Sequence, residues 1–177
     1  MPCVERRYPD ADGRLDAWVK TFYAGEPVST QELLIGITHA IRQQFAYQPR
    51  DQFGTQTPSE TLTAGSGSCR DFALRMREAV RPLGLGARFV TGYLYDMGSG
   101  AAGALVGGAA THAWVQVFLP GAGWTEFDPT NGIIGGENLI RVAVTRDPRQ
   151  AVPLLGTFEG PTNASLGMTV DVQVTQG

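Results

Sequence analysis

Apolar residues recur with helical spacing in the first part of the chain and predict two helices there. The first helix is predicted to begin after Asp12, a good capping residue, and to end by Gly25. Its apolar face consists of Leu15, Trp18, Val19 and Phe22. The second helix is predicted to begin after Ser29, which stands three residues before Glu32 as in a capping box, and to break near Pro49. Its apolar stripe consists of Leu34, Ile37, Ile41 and Phe45.

A third helix is predicted in the middle of the chain, after a polar stretch. Residues 50–67 are rich in Thr, Ser and Gly, and this composition predicts a loop. The helix is then predicted to start at Ser68 and to run to about Leu83, where Gly84 supplies a stop signal.

The second half of the chain is predicted to form strands. The segments rich in β-branched and aromatic residues are 87–95, 112–119, 123–128, 139–144 and 168–175. Helices that precede strands along the chain favour an α+β domain with an antiparallel sheet over a doubly wound parallel sheet. The segment 97–110 is rich in Gly and Ala, so we predict a loop that leads into His112.

Composition narrows the classes of protein that fit. A chain of 177 residues, 42% of them hydrophobic, fits one domain that covers 1–177. A net charge of -3 argues against nucleic acid or a membrane surface as a partner. The N-terminus lacks the apolar core of a signal peptide and no apolar run reaches the roughly 20 residues of a membrane helix, so we expect a cytoplasmic protein. Cys3 and Cys69 form no spaced metal motif, and no metal or cofactor is predicted.

Cys69 stands where a helix is predicted to begin. Ser68 is a good N-cap and Asp71 follows three residues later, so Cys69 is expected to be the first helical residue. The unpaired amides and the positive end of the helix dipole would then stabilise a thiolate. The simpler interpretation is that Cys69 is a small buried apolar residue.

His112 and Asp128 are predicted at the ends of two neighbouring strands joined by a turn at PGAG. If Leu119 pairs with Gly123, Asp128 lies opposite Trp114 and diagonal to His112. The Cβ separation is then roughly 7 Å, which a carboxylate and an imidazole can bridge. A slip of one residue turns the carboxylate to the other face of the sheet. Contact between the two side chains therefore requires a three-residue loop or a bulge.

The segments GSCRDFA, THAWVQV and GWTEFDPTNG together resemble the core motifs of the bacterial transglutaminase-like superfamily. The resemblance implies a catalytic triad of Cys69, His112 and Asp128. It also implies a papain-like arrangement, in which the nucleophile helix packs against an antiparallel sheet or barrel that carries the other two residues. Many bacterial relatives carry a further β-rich domain ahead of this core, so we expect the chain to be either a fragment or a minimal form.

The mechanism implied by the resemblance is acyl transfer through a thioester on Cys69. His112 serves as the acid and base, and Asp128 orients it. An oxyanion donor is expected from Tyr47 or, as second choice, Gln48, and Trp114 is a candidate to line the acyl groove.

Three functions remain open from the sequence. The thioester is resolved by a primary amine in a transglutaminase-like enzyme, and by water in a cysteine peptidase or amidase. The third possibility is a peptide-binding module without activity, against which the intact set of three residues speaks. The expected partners are a protein or peptide substrate and a primary amine. We expect the loop at 97–110 to act as a lid that excludes water from the thioester.

Overall fold

A computed structural model describes residues 3–25, 27–50, 52–95 and 111–152. Beyond these ranges it describes only positions 156, 157, 159–161, 163, 164 and 167. The predicted lid at 97–110 and the predicted strand at 168–175 lie outside the described residues. Within the described part of the chain, no helix is both long enough and apolar enough to cross a membrane.

Four α-helices are described: α1 at Arg14–Lys20, α2 at Thr30–Gln44, α3 at Pro58–Ala64 and α4 at Cys69–Val80. The capping box predicted for α2 is confirmed, because Ser29 Oγ accepts from the Glu32 amide and Glu32 Oε2 accepts from the Ser29 amide, at 3.2 and 2.9 Å. The third predicted helix corresponds to α4. It is followed by a short 3₁₀ turn that ends at Gly84, as the stop signal predicts.

Helix α1 begins one residue later than the cap predicted at Asp12 implies. Gly13 takes the N-cap position with a left-handed φ of 66°, and Arg14 opens the helix. The Arg14 amide donates to Asp12 Oδ1 at 3.3 Å, and the next two free amides donate to Asp10, that of Leu15 at 3.1 Å and that of Asp16 at 2.8 Å. The two carboxylates therefore share the first turn, Asp12 at its first amide and Asp10 at the following two.

The loop predicted over 50–67 is also wrong in part, because α3 lies within it. Thr57 and Glu60 form a capping box, with the Glu60 amide 3.2 Å from Thr57 Oγ1 and the Thr57 amide 2.7 Å from Glu60 Oε2. Pro58 occupies the first helical turn, where its missing N–H costs nothing. The signals for a helix were present, but polar side chains cover most of its surface.

Two sheets are described. The short strands β1, Ala46–Tyr47, and β2, Ser66–Gly67, form a parallel pair. The large antiparallel sheet contains β3 at Ala87–Leu94, β4 at Thr111–Leu119, β5 at Gly123–Asp128, β6 at Ile133–Ile134 and β7 at Leu139–Thr145. Its strand order is β6-β5-β4-β3-β7. The four strands predicted within the described residues are confirmed to within one residue at each end, whereas β1, β2 and β6 are not predicted.

Helix α4 lies across one face of the large sheet and forms the centre of the core. Phe72 and Met76 of this helix pack in the same cluster as Ala113, Val115 and Val117 of β4. The N-terminus of α4 therefore lies near the end of the sheet where β4 begins. This arrangement confirms the predicted α+β fold with the nucleophile helix packed on an antiparallel sheet.

The N-terminal segment is fixed to the far end of α4. The fully buried Glu78 accepts from the amides of Arg7 and Tyr8 at 2.7 and 3.1 Å, and it pairs with Arg77 and Arg81 at 2.8 and 3.1 Å. The carbonyl of Cys3 accepts from the Ala87 amide at 2.9 Å. The N-terminal segment is therefore held at two places, by buried Glu78 at residues 7 and 8 and by the start of β3 at Cys3.

Candidate active site

Cys69 is the first residue of α4, as predicted, and is only 7% exposed. The amide and the hydroxyl of Ser68 both donate to Asp71 Oδ2 at 2.8 Å, which closes the helix end. The sulfur thus lies in the first turn, where amides without helical partners and the helix dipole favour negative charge.

The Asp71 carboxylate joins the start of α4 to the loop that precedes α3. Arg50 Nη1 contacts both carboxylate oxygens at 2.9 and 3.0 Å, and the Gln56 amide donates to Oδ1 at 2.7 Å. Asp71 is fully buried, and each of its oxygens accepts at least two hydrogen bonds. Nothing local in the sequence reveals these contacts, because the partners lie 21 and 15 residues away.

The short parallel pair brings Tyr47 close to Cys69. Tyr47 pairs with Gly67, two residues before Cys69. A side chain at Gly67 would not fit, since a Cβ there would lie 2.9 Å from Asp71 Cβ. Burial raises the pKa of the Tyr47 phenol, and the negative charges of Cys69 and Asp128 raise it further, against an opposing effect of Arg70. The hydroxyl therefore lies within electrostatic reach of both groups.

Gln48, the alternative oxyanion donor, is placed differently. Its side chain is exposed, and its Oε1 accepts from the Ser66 hydroxyl at 3.3 Å. Its backbone amide donates to the carbonyl of Gly67 at 2.9 Å. Gln48 therefore contacts residues of the short parallel pair, whereas Tyr47 is the residue whose pKa responds to Cys69 and Asp128.

The sheet side of the site depends on the register between β4 and β5. Leu119 pairs with Gly123 across a three-residue loop, and Val115 pairs with Phe127, so Asp128 comes opposite Trp114. This is the register that contact between the two side chains requires. His112 Nε2 lies 2.9 Å from Asp128 Oδ2, and both side chains are fully buried.

The turn after β5 holds the Asp128 carboxylate in one orientation. Oδ1 accepts from the amides of Thr130 and Asn131 at 2.9 and 3.3 Å. Oδ2 accepts from Asn131 Nδ2 at 2.8 Å as well as facing His112. Asn131 is not among the residues predicted from the sequence, although an Asp followed by Pro, Thr and Asn is typical of a turn closed by its own side chains.

The surroundings of His112 favour its protonated form. Burial alone would lower its pKa, but the hydrogen bond to Asp128 and the proximity of Cys69 raise the pKa from 6.5 to about 10. The Nδ1 atom, on the opposite side of the ring from Asp128, is buried and has no partner within hydrogen-bond geometry. Since Nε2 is occupied by Asp128, Nδ1 is the atom available to the Cys69 sulfur.

Trp114 lies behind His112 rather than beside a substrate groove. The two rings stack with centroids 6.1 Å apart and an interplanar angle of 25°. The indole is fully buried and donates from Nε1 to Glu126 Oε2 at 2.6 Å. The predicted role of Trp114 in lining an acyl groove has no exposed surface to support it.

No group of three or more His, Cys, Asp or Glu side chains in the described ranges is close enough to hold a metal ion. The chemistry available at the site is that of a thiol, an imidazole, a carboxylate and a phenol.

Two mycobacterial proteins are similar to this chain in sequence. An uncharacterized protein of Mycobacterium leprae is 35% identical over 106 residues, which cover 60% of this chain and 37% of the relative. An uncharacterized protein of Mycobacterium tuberculosis is 30% identical over 151 residues, which cover 82% of this chain and 48% of the relative. The chain thus spans less than half the length of these two relatives.

Two solved structures show the same fold at low sequence identity. A candidate cysteine protease from Cytophaga hutchinsonii superposes with a TM-score of 0.65 at 22% identity, over 85% of this chain and 48% of that one. Calcium-bound LapG of Legionella pneumophila superposes with a TM-score of 0.53 at 14% identity, over 87% and 82% of the two chains. The sequence pattern of the transglutaminase-like superfamily matches residues 16–129, which include Cys69, His112 and Asp128. The chain therefore belongs to the transglutaminase-like superfamily.

Proposed function

We propose that this chain catalyses cysteine-dependent acyl transfer from protein or peptide amides through a thioester on Cys69. The proposal rests on the arrangement of three side chains, those of Cys69, His112 and Asp128. A buried cysteine opens helix α4, and a buried imidazole is hydrogen-bonded on its far side to a buried carboxylate. Membership of a superfamily whose members are generally enzymes supports the same conclusion.

The first half of the reaction forms the thioester. The Cys69 thiolate attacks the carbonyl carbon of a carboxamide or peptide, and a carbon–sulfur bond forms while the carbonyl oxygen takes the negative charge. Protonated His112 donates its proton to the departing nitrogen as the carbon–nitrogen bond breaks. Asp128 holds the proton of Nε2, so that Nδ1 is the atom that exchanges a proton at the reacting centre.

The second half releases the acyl group. Neutral His112 takes a proton from the attacking amine or water, the new bond to carbon forms, and the Cys69 thiolate departs. An amine gives a transferase and water gives a hydrolase. The described residues serve both reactions equally, so the acceptor decides between a transglutaminase-like enzyme and a cysteine peptidase or amidase.

The oxyanion of both steps requires donors close to Cys69. We assign this role to the Cys69 amide and the Tyr47 hydroxyl. The pairing of Tyr47 with Gly67, two residues before Cys69, supports the assignment. Gln48 is the weaker candidate, since its side chain already contacts Ser66.

One assay tests the proposal and separates the two acceptors. The protein is incubated with a glutamine-rich protein whose lysines are blocked and with a labelled primary amine. Amine incorporation, ammonia release and new peptide N-termini are measured together. Incorporation or release that is lost in Cys69→Ala supports the proposal. A folded wild-type protein without any of the three products across several protein substrates would favour the non-catalytic peptide-binding module.

A further inference from the structure

A polar network lies on the face of the large sheet that α4 does not cover. Glu126 accepts from Trp114 Nε1 and from Gln116 Nε2, both at 2.6 Å. Arg88 Nε donates to Gln116 Oε1 at 2.8 Å, and Arg141 Nη1 lies 3.5 Å from Glu126 Oε1. Trp114 and Gln116 are fully buried, and only 12% of the Glu126 side chain is exposed. Short hydrogen bonds to a carboxylate at low exposure are among the stronger ones in proteins.

Trp114 is confined on more than one side. Its Nε1 is held by Glu126, and its ring packs in a buried cluster with Val90, Leu94 and Leu139. Its Cη2 atom lies 2.9 Å from the place where a Cβ on Gly92 would stand. A side chain at position 92 would therefore meet both the carbonyl of Ile140 and the indole, so Trp114 packs closely against the backbone of β3.

The confined indole faces the imidazole of His112. Both residues lie on β4, two positions apart and therefore on the same face of the strand. A single hydrogen bond from Nε2 to Asp128 fixes one corner of the imidazole but leaves the ring free to tilt about that contact. The stacked indole removes much of this freedom, and a π face beside an imidazolium also stabilises its charge.

We propose that Glu126 is a positioning residue for His112, which acts through the indole of Trp114 that it holds against the imidazole. The inference rests on the proposed function of Cys69 and His112. It adds a second constraint, on the face of the imidazole ring, to the one that Asp128 supplies at its edge. Glu126 itself touches no reacting atom.

Two variants and a matched control test this role. Glu126→Leu removes the acceptor, and Trp114→Phe keeps a flat ring but removes the donor. Each is expected to lower kcat about tenfold with KM unchanged, in the range that small misplacement of a catalytic group costs. The rate at which iodoacetamide alkylates Cys69 at about pH 6 should fall in parallel, since a tilted imidazolium stabilises the thiolate less. The control is Gln116→Leu, which removes an equally short hydrogen bond to the Glu126 carboxylate. Gln116 does not contact His112, so this variant should lower thermal stability without lowering kcat.

A double-mutant cycle makes the test specific. If Glu126 acts through Trp114, adding Glu126→Leu to Trp114→Phe produces little further fall in kcat. Additive losses of kcat in the double variant, or an equal fall of kcat in Gln116→Leu, would overturn the proposal. Either result would indicate a general weakening of the sheet instead. If Glu126→Leu does not fold, Trp114→Phe decides the question by itself. A folded Trp114→Phe protein with the kcat and the Cys69 alkylation rate of the wild type would overturn the proposal. Slow alkylation of Cys69 in the wild-type protein would instead refute the proposed function, so the two failures are distinguishable.

Discussion

The helix side and the sheet side of the site place their reactive groups by different physical means. Cys69 is positioned by backbone, since the first turn of α4 presents amides and a dipole that no side-chain rotation can remove. His112 is positioned by side chains, with Asp128 at one edge of the ring and Trp114 on its face. The helix therefore supplies stabilisation of charge, whereas the sheet supplies orientation of a ring that could otherwise rotate.

Both sides use a buried carboxylate bound by backbone amides, and the remaining partner distinguishes them. Asp71 pairs with Arg50, a permanent cation, and so holds a loop in place. Asp128 pairs with His112, a cation only when protonated, and so can take part in proton transfer. A buried carboxylate bound by backbone amides therefore holds a loop on the helix side and faces an ionisable imidazole on the sheet side.

The largest expected effect comes from removing either reactive group. Cys69→Ala and His112→Ala should each abolish turnover, because one side of the site cannot replace the other. The measurement is amine incorporation and ammonia release per folded molecule, with circular dichroism to show that the fold is kept. Appreciable turnover in a folded Cys69→Ala protein would place the nucleophile elsewhere.

The next effect separates the two carboxylates. Asp128→Asn should leave a folded protein whose kcat is lower by about 10²- to 10⁴-fold, since the imidazole loses the group that fixes its tautomer. Asp71→Asn is the matched variant. It should lower the free energy of unfolding by about 1–3 kcal/mol, because buried donors lose their acceptor, and should affect kcat much less. Near-normal activity in Asp128→Asn would remove Asp128 from the mechanism.

A smaller effect is expected on the helix side at Tyr47. Tyr47→Phe should lower kcat by about 10²-fold through loss of one oxyanion donor, with little change in KM. Gln48→Leu is the control and should retain wild-type kcat, because the Gln48 side chain contacts Ser66 instead. If the two variants lose kcat equally, Tyr47 is not the donor.

The smallest effect is a change in stability with pH. The folded-state pKa of His112, about 10, lies above its ordinary value of 6.5, so the folded protein binds this proton more tightly than the unfolded chain. The resulting stability is fully present below about pH 6.5 and is lost as the pH rises toward 10. Thermal unfolding from pH 6.5 to 10 should therefore show a steeper loss in the wild type than in His112→Gln. Parallel curves would contradict the strong pairing of His112.

The elements around Cys69 could be predicted from the sequence because their signals are local. Ser68 and Asp71 lie within three residues of one another and define the start of α4 without reference to the rest of the chain. The position of Asp128 could be predicted only conditionally, since it depends on the three-residue loop that sets the register.

The parts of the site that the sequence does not predict depend on contacts between distant residues. The pairing of β1 with β2 brings Tyr47 beside Gly67, and strands of two residues carry no periodicity. The burial of Trp114 depends on the absence of a side chain at Gly92, on the neighbouring strand. Because side chains alternate along β4, Trp114 is predicted on the same face of the strand as His112. The alternation does not show whether that face lines a substrate groove or holds a buried network.

The measurement that tests the central claim most directly is the rate of iodoacetamide alkylation at Cys69 and Cys3 within one sample at about pH 6. If the N-terminus of α4 and protonated His112 stabilise a thiolate at Cys69, this residue should react much faster than Cys3. Peptide mass spectrometry measures the two rates. The excess rate should fall in His112→Ala to the part that the N-terminus of α4 supplies. Equal rates at the two cysteines, or faster labelling of Cys3, would contradict an activated nucleophile at Cys69.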